Sequence, residues 1–201
     1  MNKLFVGILM AVLLIPYTAN AQNKSELNEL SVSYGIFPAS QLSNNFAITA
    51  TDLFTGGHYQ SNNSKSWGAL SIGYSYKLAR NISLGLTYSF SQIKNDIVLG
   101  SSSALGDKND TYNVLLPNVK FYWLKKNIIT LYSRVGAGVV FAKSEQVFDN
   151  NGQANKVENK TFISWQASPI GIEIGRSNII AFAEAGLGYM GSVQIGALFR
   201  F

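Results

Sequence analysis

The side chains able to do chemistry are few and widely spaced. The single histidine, His58, lies in Gly56-Gly57-His58-Tyr59-Gln60, with Ser61 and Ser64 shortly after it. A Ser–His pair held on a rigid element would supply a nucleophile and its base for acyl transfer. Here a polar loop carries all three residues and no His-Ser dipeptide occurs, so nothing holds base against hydroxyl and catalysis is not expected. Cysteine is absent, which removes disulfides, thiolate ligands, thiol nucleophiles and a lipid-modified cysteine. One histidine is too few for a zinc or iron site, and neither a metal nor a cofactor is expected. Gly136-Ala137-Gly138 and Gly186-Leu187-Gly188 look superficially like phosphate loops, but no helix signal follows either. Asn109-Asp110-Thr111 lacks the spaced acids and closing glutamate of a calcium loop. Asp149-Asn150-Asn151-Gly152 has the composition of a turn. The remaining candidates are five charges inside otherwise apolar or small-residue stretches: Lys120, Arg134, Glu173, Glu184 and Arg200.

Those five need a scaffold, and composition narrows the choice. The 201 residues are 47% hydrophobic, 12% aromatic and only 13% charged, against about 25% charged in ordinary soluble domains. Disorder requires the opposite balance, low hydrophobicity with high net charge. The net charge of +5 is modest and its densest basic pair is Lys125-Lys126, so no stripe for nucleic acid exists.

Residues 1–21 read as a secretory signal peptide. Lys3 is the positive n-region, Leu4 to Ile15 the apolar stretch, and Ala19-Asn20-Ala21 the small-x-small cleavage site. An apolar run of about 12 residues is short of the roughly 20 that a spanning helix needs. Residues 22–201 are then one exported domain. Val135–Ala142 and Ile179–Gly191 are its most apolar stretches, and both are too short for a spanning helix.

The hydrophobicity is distributed by alternation. Ile82, Leu84, Leu86, Tyr88 and Phe90 share one face, and Ser83, Gly85, Thr87 and Ser89 the other. Leu70, Ile72, Tyr74, Tyr76 and Leu78 oppose Ala69, Ser71, Gly73 and Ser75 in the same way, as Leu30, Val32, Tyr34 and Ile36 oppose Ser31, Ser33 and Gly35. The pattern predicts eight strands, at about 30–37, 67–77, 82–93, 111–124, 128–142, 161–175, 179–189 and 191–201. Pro117 and Pro169 fall inside two of them and are expected to mark bulges or shifts of alternation, because proline cannot donate to a ladder. Short turns (79–81, 125–127, 176–178) alternate with long polar loops (38–66, 94–110, 143–160); a short link at 189–191 joins the last two strands. Short turns at one end and long loops at the other is the asymmetry of outer-membrane barrels. The expected fold is all-β, an eight-stranded antiparallel up-and-down transmembrane barrel.

Side-chain size chooses between a membrane barrel and a soluble one. Eight strands enclose a centre just wide enough for side chains to fill. The bulky face would overfill it and the Ser/Gly/Thr/Ala face fits, so the bulky face points outward, where water would meet a very large apolar patch. Acyl chains suit that face, and closure satisfies the backbone there. Two outward aromatic girdles are expected: Tyr76, Phe121, Trp123, Phe199 and Phe201 toward the short turns, and Tyr88, Phe90, Phe141 and Tyr189 toward the loops. Parity puts all five strand charges on the small-residue face, where Glu173 or Glu184 can pair with Arg134, Lys120 or Arg200 and plug the centre.

The last strand alternates Val193, Ile195, Ala197, Phe199 and Phe201. A terminal Phe on such a strand resembles the signal read by the bacterial barrel-assembly machinery, with Phe201 and Phe199 as the residues read. With the export signal and the eight-strand layout, the chain resembles the small outer-membrane barrels of the OmpA transmembrane-domain and OmpX kind. It is also similar to the outer membrane protein beta-barrel domain family of Bacteroidetes type, whose Gly-x-x-Tyr-x-Phe ending appears here as Gly196-Ala197-Leu198-Phe199-Arg200-Phe201. The likeness spans about 28–201 and is architectural. It implies a monomer in the outer membrane of a Gram-negative cell, in contact with outer-membrane lipid and lipopolysaccharide.

The leading expectation is a structural or surface-interaction role, with the loops facing an unknown extracellular ligand. A narrow channel, or an accessory subunit of a transport or secretion machine, is the alternative. A lipid-modifying enzyme comes third. The loop charges nearly balance, whereas the turns carry Lys77, Arg80, Lys125, Lys126 and Arg176 with no acid, so phosphate headgroups are one candidate contact for that end.

Overall fold

The computed structural model describes residues 27–39, 65–98, 104–148, 156–176 and 178–201. Eight strands occur in them: β1 (Asn28–Ile36), β2 (Lys65–Ala79), β3 (Ile82–Val98), β4 (Ala104–Lys125), β5 (Ile129–Phe148), β6 (Lys156–Ile174), β7 (Ile179–Gly188) and β8 (Val193–Arg200). Each pairs antiparallel with its neighbours, and β1 pairs with β8 from Glu29↔Arg200 to Ile36↔Val193, closing the barrel in simple sequence order. The eight-stranded antiparallel barrel expected from the alternation is the observed fold. The 1–21 segment, His58, Ser61, Ser64, nearly all of the first long loop and Asp149-Asn150-Asn151-Gly152 lie outside the described residues.

Closure turns the period-two pattern into an inside and an outside. On β3, Ser83, Thr87, Ser89 and Ser91 are buried while Leu84, Leu86 and Phe90 are exposed. Val32, Leu70, Ile72, Val119, Val135, Leu187 and Ile195 continue the exposed apolar face around the wall. Of the expected girdle aromatics, Tyr76, Phe121, Trp123, Phe201, Phe90 and Phe141 are exposed, and Tyr88, Tyr189 and Phe199 are half-buried.

Three expectations need correction. The second and third loops are shorter than their polarity implied, because β3 and β4 continue pairing out to Val98↔Ala104 and β5 and β6 out to Gln146↔Lys156. A hairpin with polar residues at both parities shows no apolar alternation, so polarity alone reads it as a loop. Pro117 makes no bulge. The β4–β5 ladder skips Leu116 and Pro117, yet Leu115↔Val139 and Asn118↔Gly136 keep one register, and Pro117 still stands opposite Leu86 on β3. Pro169 does sit at a shift, between Ala167 and Ile170 on the β7 side.

The third correction concerns size. The inner face carries large residues as well as small ones: Tyr122, Tyr132, Phe182, Ile180, Leu198, Leu116 and Ile93 are all buried. Neighbouring glycines make the room. A Cβ built on Gly171 would lie 2.5 Å from the Tyr132 ring, and one on Gly196 would lie 2.8 Å from the Phe182 ring. Each ring therefore covers a glycine on the adjacent strand, a known device for packing a glycine in a sheet. Gly171→Ala pushes Tyr132 off its seat, and overpacking of this kind costs about 1–3 kcal/mol. We expect urea unfolding of that variant in detergent micelles to shift to lower midpoint at unchanged slope.

Candidate functional site in the barrel interior

The inner residues sort into layers along the barrel axis. Nearest the short turns is an ionic layer. Lys120 Nζ on β4 donates to Glu29 Oε2 at 3.2 Å and to Glu173 Oε1 at 3.4 Å, reaching β1 and β6 at once. Arg200 on β8 donates from Nε to Glu29 Oε1 at 2.9 Å and from Nη2 to Glu173 Oε2. Tyr122 Oη donates to the Glu29 carboxylate at 3.1 and 3.2 Å, and Ser83 Oγ donates to Tyr122 at 3.4 Å. Two carboxylates thus alternate with two cations, and each carboxylate meets both.

A second group stands beside it. Arg134 Nη2 approaches Glu184 Oε2 at 2.5 Å and donates to Gln194 Oε1 at 2.9 Å. The Arg134–Glu184 contact is an ion pair off the hydrogen-bond axis: it passes the distance for a salt bridge, yet Glu184 Oε2 has no hydrogen-bond partner. Tyr132 Oη donates to the other oxygen, Glu184 Oε1, at 2.5 Å. The two groups touch through aromatic rings. Lys120 Nζ sits 4.9 Å from the Tyr132 ring centroid, and the Tyr122 and Tyr132 rings are 5.8 Å apart.

Charge bookkeeping explains why this survives burial. Glu29, Glu173 and Glu184 face Lys120, Arg134 and Arg200, three acids against three bases. Five of the six are nearly inaccessible to water, and the Arg200 side chain keeps 13% of its surface. Isolated charges there would be prohibitive, and pairing with further hydrogen bonds is what makes burial tolerable.

Above the ions come small polar residues, including Ser71 Oγ donating to Ser89 Oγ at 2.9 Å and Asn118 Nδ2 donating to Thr87 Oγ1 at 3.0 Å. Higher still, toward the long loops, is an apolar layer of Val114, Leu116, Val140 and Met190, with Tyr112, Ala142 and Tyr189 against it. Met190 belongs to the short β7–β8 link, which folds inward. Its N–H donates to Gln166 Oε1 at 3.0 Å, and Gln166 Nε2 donates to the Gly191 carbonyl at 3.2 Å. Gly191 takes a φ of 110° there, open to glycine at no steric cost.

The structure brings all five of these charges into one interior: Glu173 meets Lys120 and Arg200, and Glu184 meets Arg134. Glu29 is the member that sequence reading missed. It lies just before the expected start of the first strand, although it shares parity with Ser31 and Ser33 and so carried the signal of an inward residue. The chemistry available is charge neutralisation and space filling. Among the described residues no group of three or more His, Cys, Asp or Glu is placed to hold a metal ion. Asp110 pairs with Lys108 at 3.1 Å on β4, and Gly136 to Gly138 and Gly186 to Gly188 lie within β5 and β7 rather than in loops. The terminal aromatics sit at the closing seam. Phe201 N–H donates to the Asn28 carbonyl at 3.0 Å, and the Phe199 and Phe201 rings stack at 5.7 Å.

No protein-family model matches the chain, and no curated protein matches it in sequence. Solved structures similar to it include the N-terminal β-barrel domain of Pseudomonas aeruginosa OprF, at 11% identity and a TM-score of 0.44 over 88% of this chain and 98% of that one. Ail, the attachment invasion locus protein of Yersinia pestis, is similar in its complex with the heparin analogue sucrose octasulfate, at 15% identity and TM-score 0.46. A second Ail crystal structure gives 19% and 0.44, and both Ail comparisons cover 88% of this chain and 100% of Ail.

Removing one partner from a buried ionic cluster leaves an uncompensated charge, at about 3–5 kcal/mol. Glu29→Ala is expected to lower unfolding stability in detergent by that amount. Lys160→Ala, which removes an exposed cation paired with Glu158 at 3.3 Å, is expected to leave the urea midpoint unchanged.

Proposed function

We propose that this protein is an integral outer-membrane barrel with a structural or surface-interaction role, its lumen closed by side chains. The observation that carries the reading is the orientation of the wall: Leu84 and Leu86 on β3, Val135 on β5, Leu187 on β7 and Ile195 on β8 point outward while the ions point inward. A contiguous apolar face of this extent is incompatible with water. A strand crosses the hydrocarbon in about 9–11 residues, a length that β1 (9 residues) and β7 (10 residues) match. At 17–22 residues, β3 to β6 exceed it and carry their hairpins beyond the apolar face. In the interior, the ionic, small polar and apolar layers supply side chains at successive heights, which supports a closed lumen over a conducting one.

Two measurements test this. Unheated protein refolded in lipid vesicles should migrate faster in SDS electrophoresis than boiled protein, and Leu86→Arg should lose about 2–4 kcal/mol of folding free energy in those vesicles. In planar bilayers the wild type should show no large steady conductance. A freely water-soluble, detergent-independent protein would overturn the membrane reading, and a steady open current would overturn the closed lumen.

A further inference from the structure

The two ends of the barrel treat their basic residues differently. On the loop side, three lysines find acids two residues along the same strand: Lys108 with Asp110 at 3.1 Å, Lys143 with Glu145 at 2.5 Å and Lys160 with Glu158 at 3.3 Å. At the turn end, Lys77, Arg80, Lys125, Lys126 and Arg176 make no ion pair among the described residues. Among the described residues, the acids of that end, Glu29 and Glu173, are buried and committed inward. The described rim is thus of one sign.

The rim is also held in place. The Asn81 carbonyl accepts from Tyr122 N–H at 2.8 Å, the Ile128 carbonyl from Gly175 N–H at 2.9 Å and the Asn178 carbonyl from Arg200 N–H at 2.8 Å, so each turn is tied to the next strand. Lys125 Nζ donates to the Arg80 carbonyl and lies 4.1 Å from the Tyr122 ring centroid. Every turn borders the exposed apolar face: Leu78 follows Lys77, Ile128 follows Lys126, and Ile174 and Ile179 flank Arg176, all exposed. Cations at the edge of an acyl-facing surface lie at headgroup depth, where long side chains reach toward phosphate.

We propose that this rim binds anionic phospholipid headgroups of the leaflet at the turn end, drawing them into the lipid shell against β2 to β7. The inference rests on the membrane reading above. An acidic protein would match the charge, yet it would leave exposed Leu78, Ile128 and Ile174 facing nothing apolar, whereas a phospholipid supplies phosphate and acyl chain together.

Trp123 makes the idea measurable, because it is exposed on β4 two residues before Lys125. The variant Trp67→Phe/Trp165→Phe keeps it as the sole tryptophan of the three. That variant is refolded into mixed phosphatidylcholine–phosphatidylglycerol vesicles of fixed composition, with bromine carried on the acyl chains of one lipid or the other. Quenching of Trp123 should show about fivefold preference for phosphatidylglycerol, the size expected of one basic group near an anionic surface. The preference should fall toward unity at high salt, and also in the fivefold variant Lys77→Gln/Arg80→Gln/Lys125→Gln/Lys126→Gln/Arg176→Gln. The salt arm uses unchanged basic residues, so the test stands even if the fivefold variant fails to refold. A sole tryptophan at Trp165, on the loop side, should show no preference. Equal quenching by both lipids, or a preference indifferent to salt, would overturn the proposal while leaving the membrane reading intact. If brominated phosphatidylcholine does not quench Trp123 at all, that reading and this inference fall together.

Discussion

A closed sheet has no first or last strand, and that constraint governs the rest of this molecule. Once β1 meets β8, every side chain of the wall points either into a narrow centre or away from it. The centre sets a limit on volume and tolerates charge only in matched pairs. The outside, freed from both limits, takes the bulky apolar residues. Size, polarity and charge are thus sorted by geometry, and a single parity rule assigns most of the side chains on the strands.

Parity is also why so much was legible beforehand. The eight strands, their order and the inward placement of Lys120, Arg134, Glu173, Glu184 and Arg200 follow from residues two apart. What parity could not supply was height and reach. Tyr132 and Phe182 find room inside because glycines on adjacent strands lie under their rings, and Gly171 is a neighbour of Tyr132 through pairing rather than through sequence. The extended hairpins of β3 to β6 escaped because their sequences carry polar residues at both parities, as in Lys94-Asn95-Asp96 and Lys143-Ser144-Glu145, and so show no period-two contrast. Pro117 was misjudged for a related reason. A ladder can skip two residues without slipping, as Leu115↔Val139 and Asn118↔Gly136 show.

The interior is layered rather than uniform. Ions cluster toward the short turns, hydroxyls and amides occupy the middle, and Val114, Leu116, Val140 and Met190 meet toward the loops. Apolar surroundings strengthen each ionic contact they border. Among the described residues, the same arrangement leaves the turn end with outward cations that have no acid of their own.

Glu29 and Arg200 face each other across the seam, 171 residues apart in the chain. They can meet only when the first strand finds the last, and Lys120 joins them from a third strand. A seam formed one residue out of step would turn Arg200 outward among the bulky apolar side chains of the wall and strand Glu29 without its arginine. Closure therefore proofreads itself: the ring that shuts in the wrong alignment is penalised at once on both of its surfaces, and only the native alignment neutralises the joint.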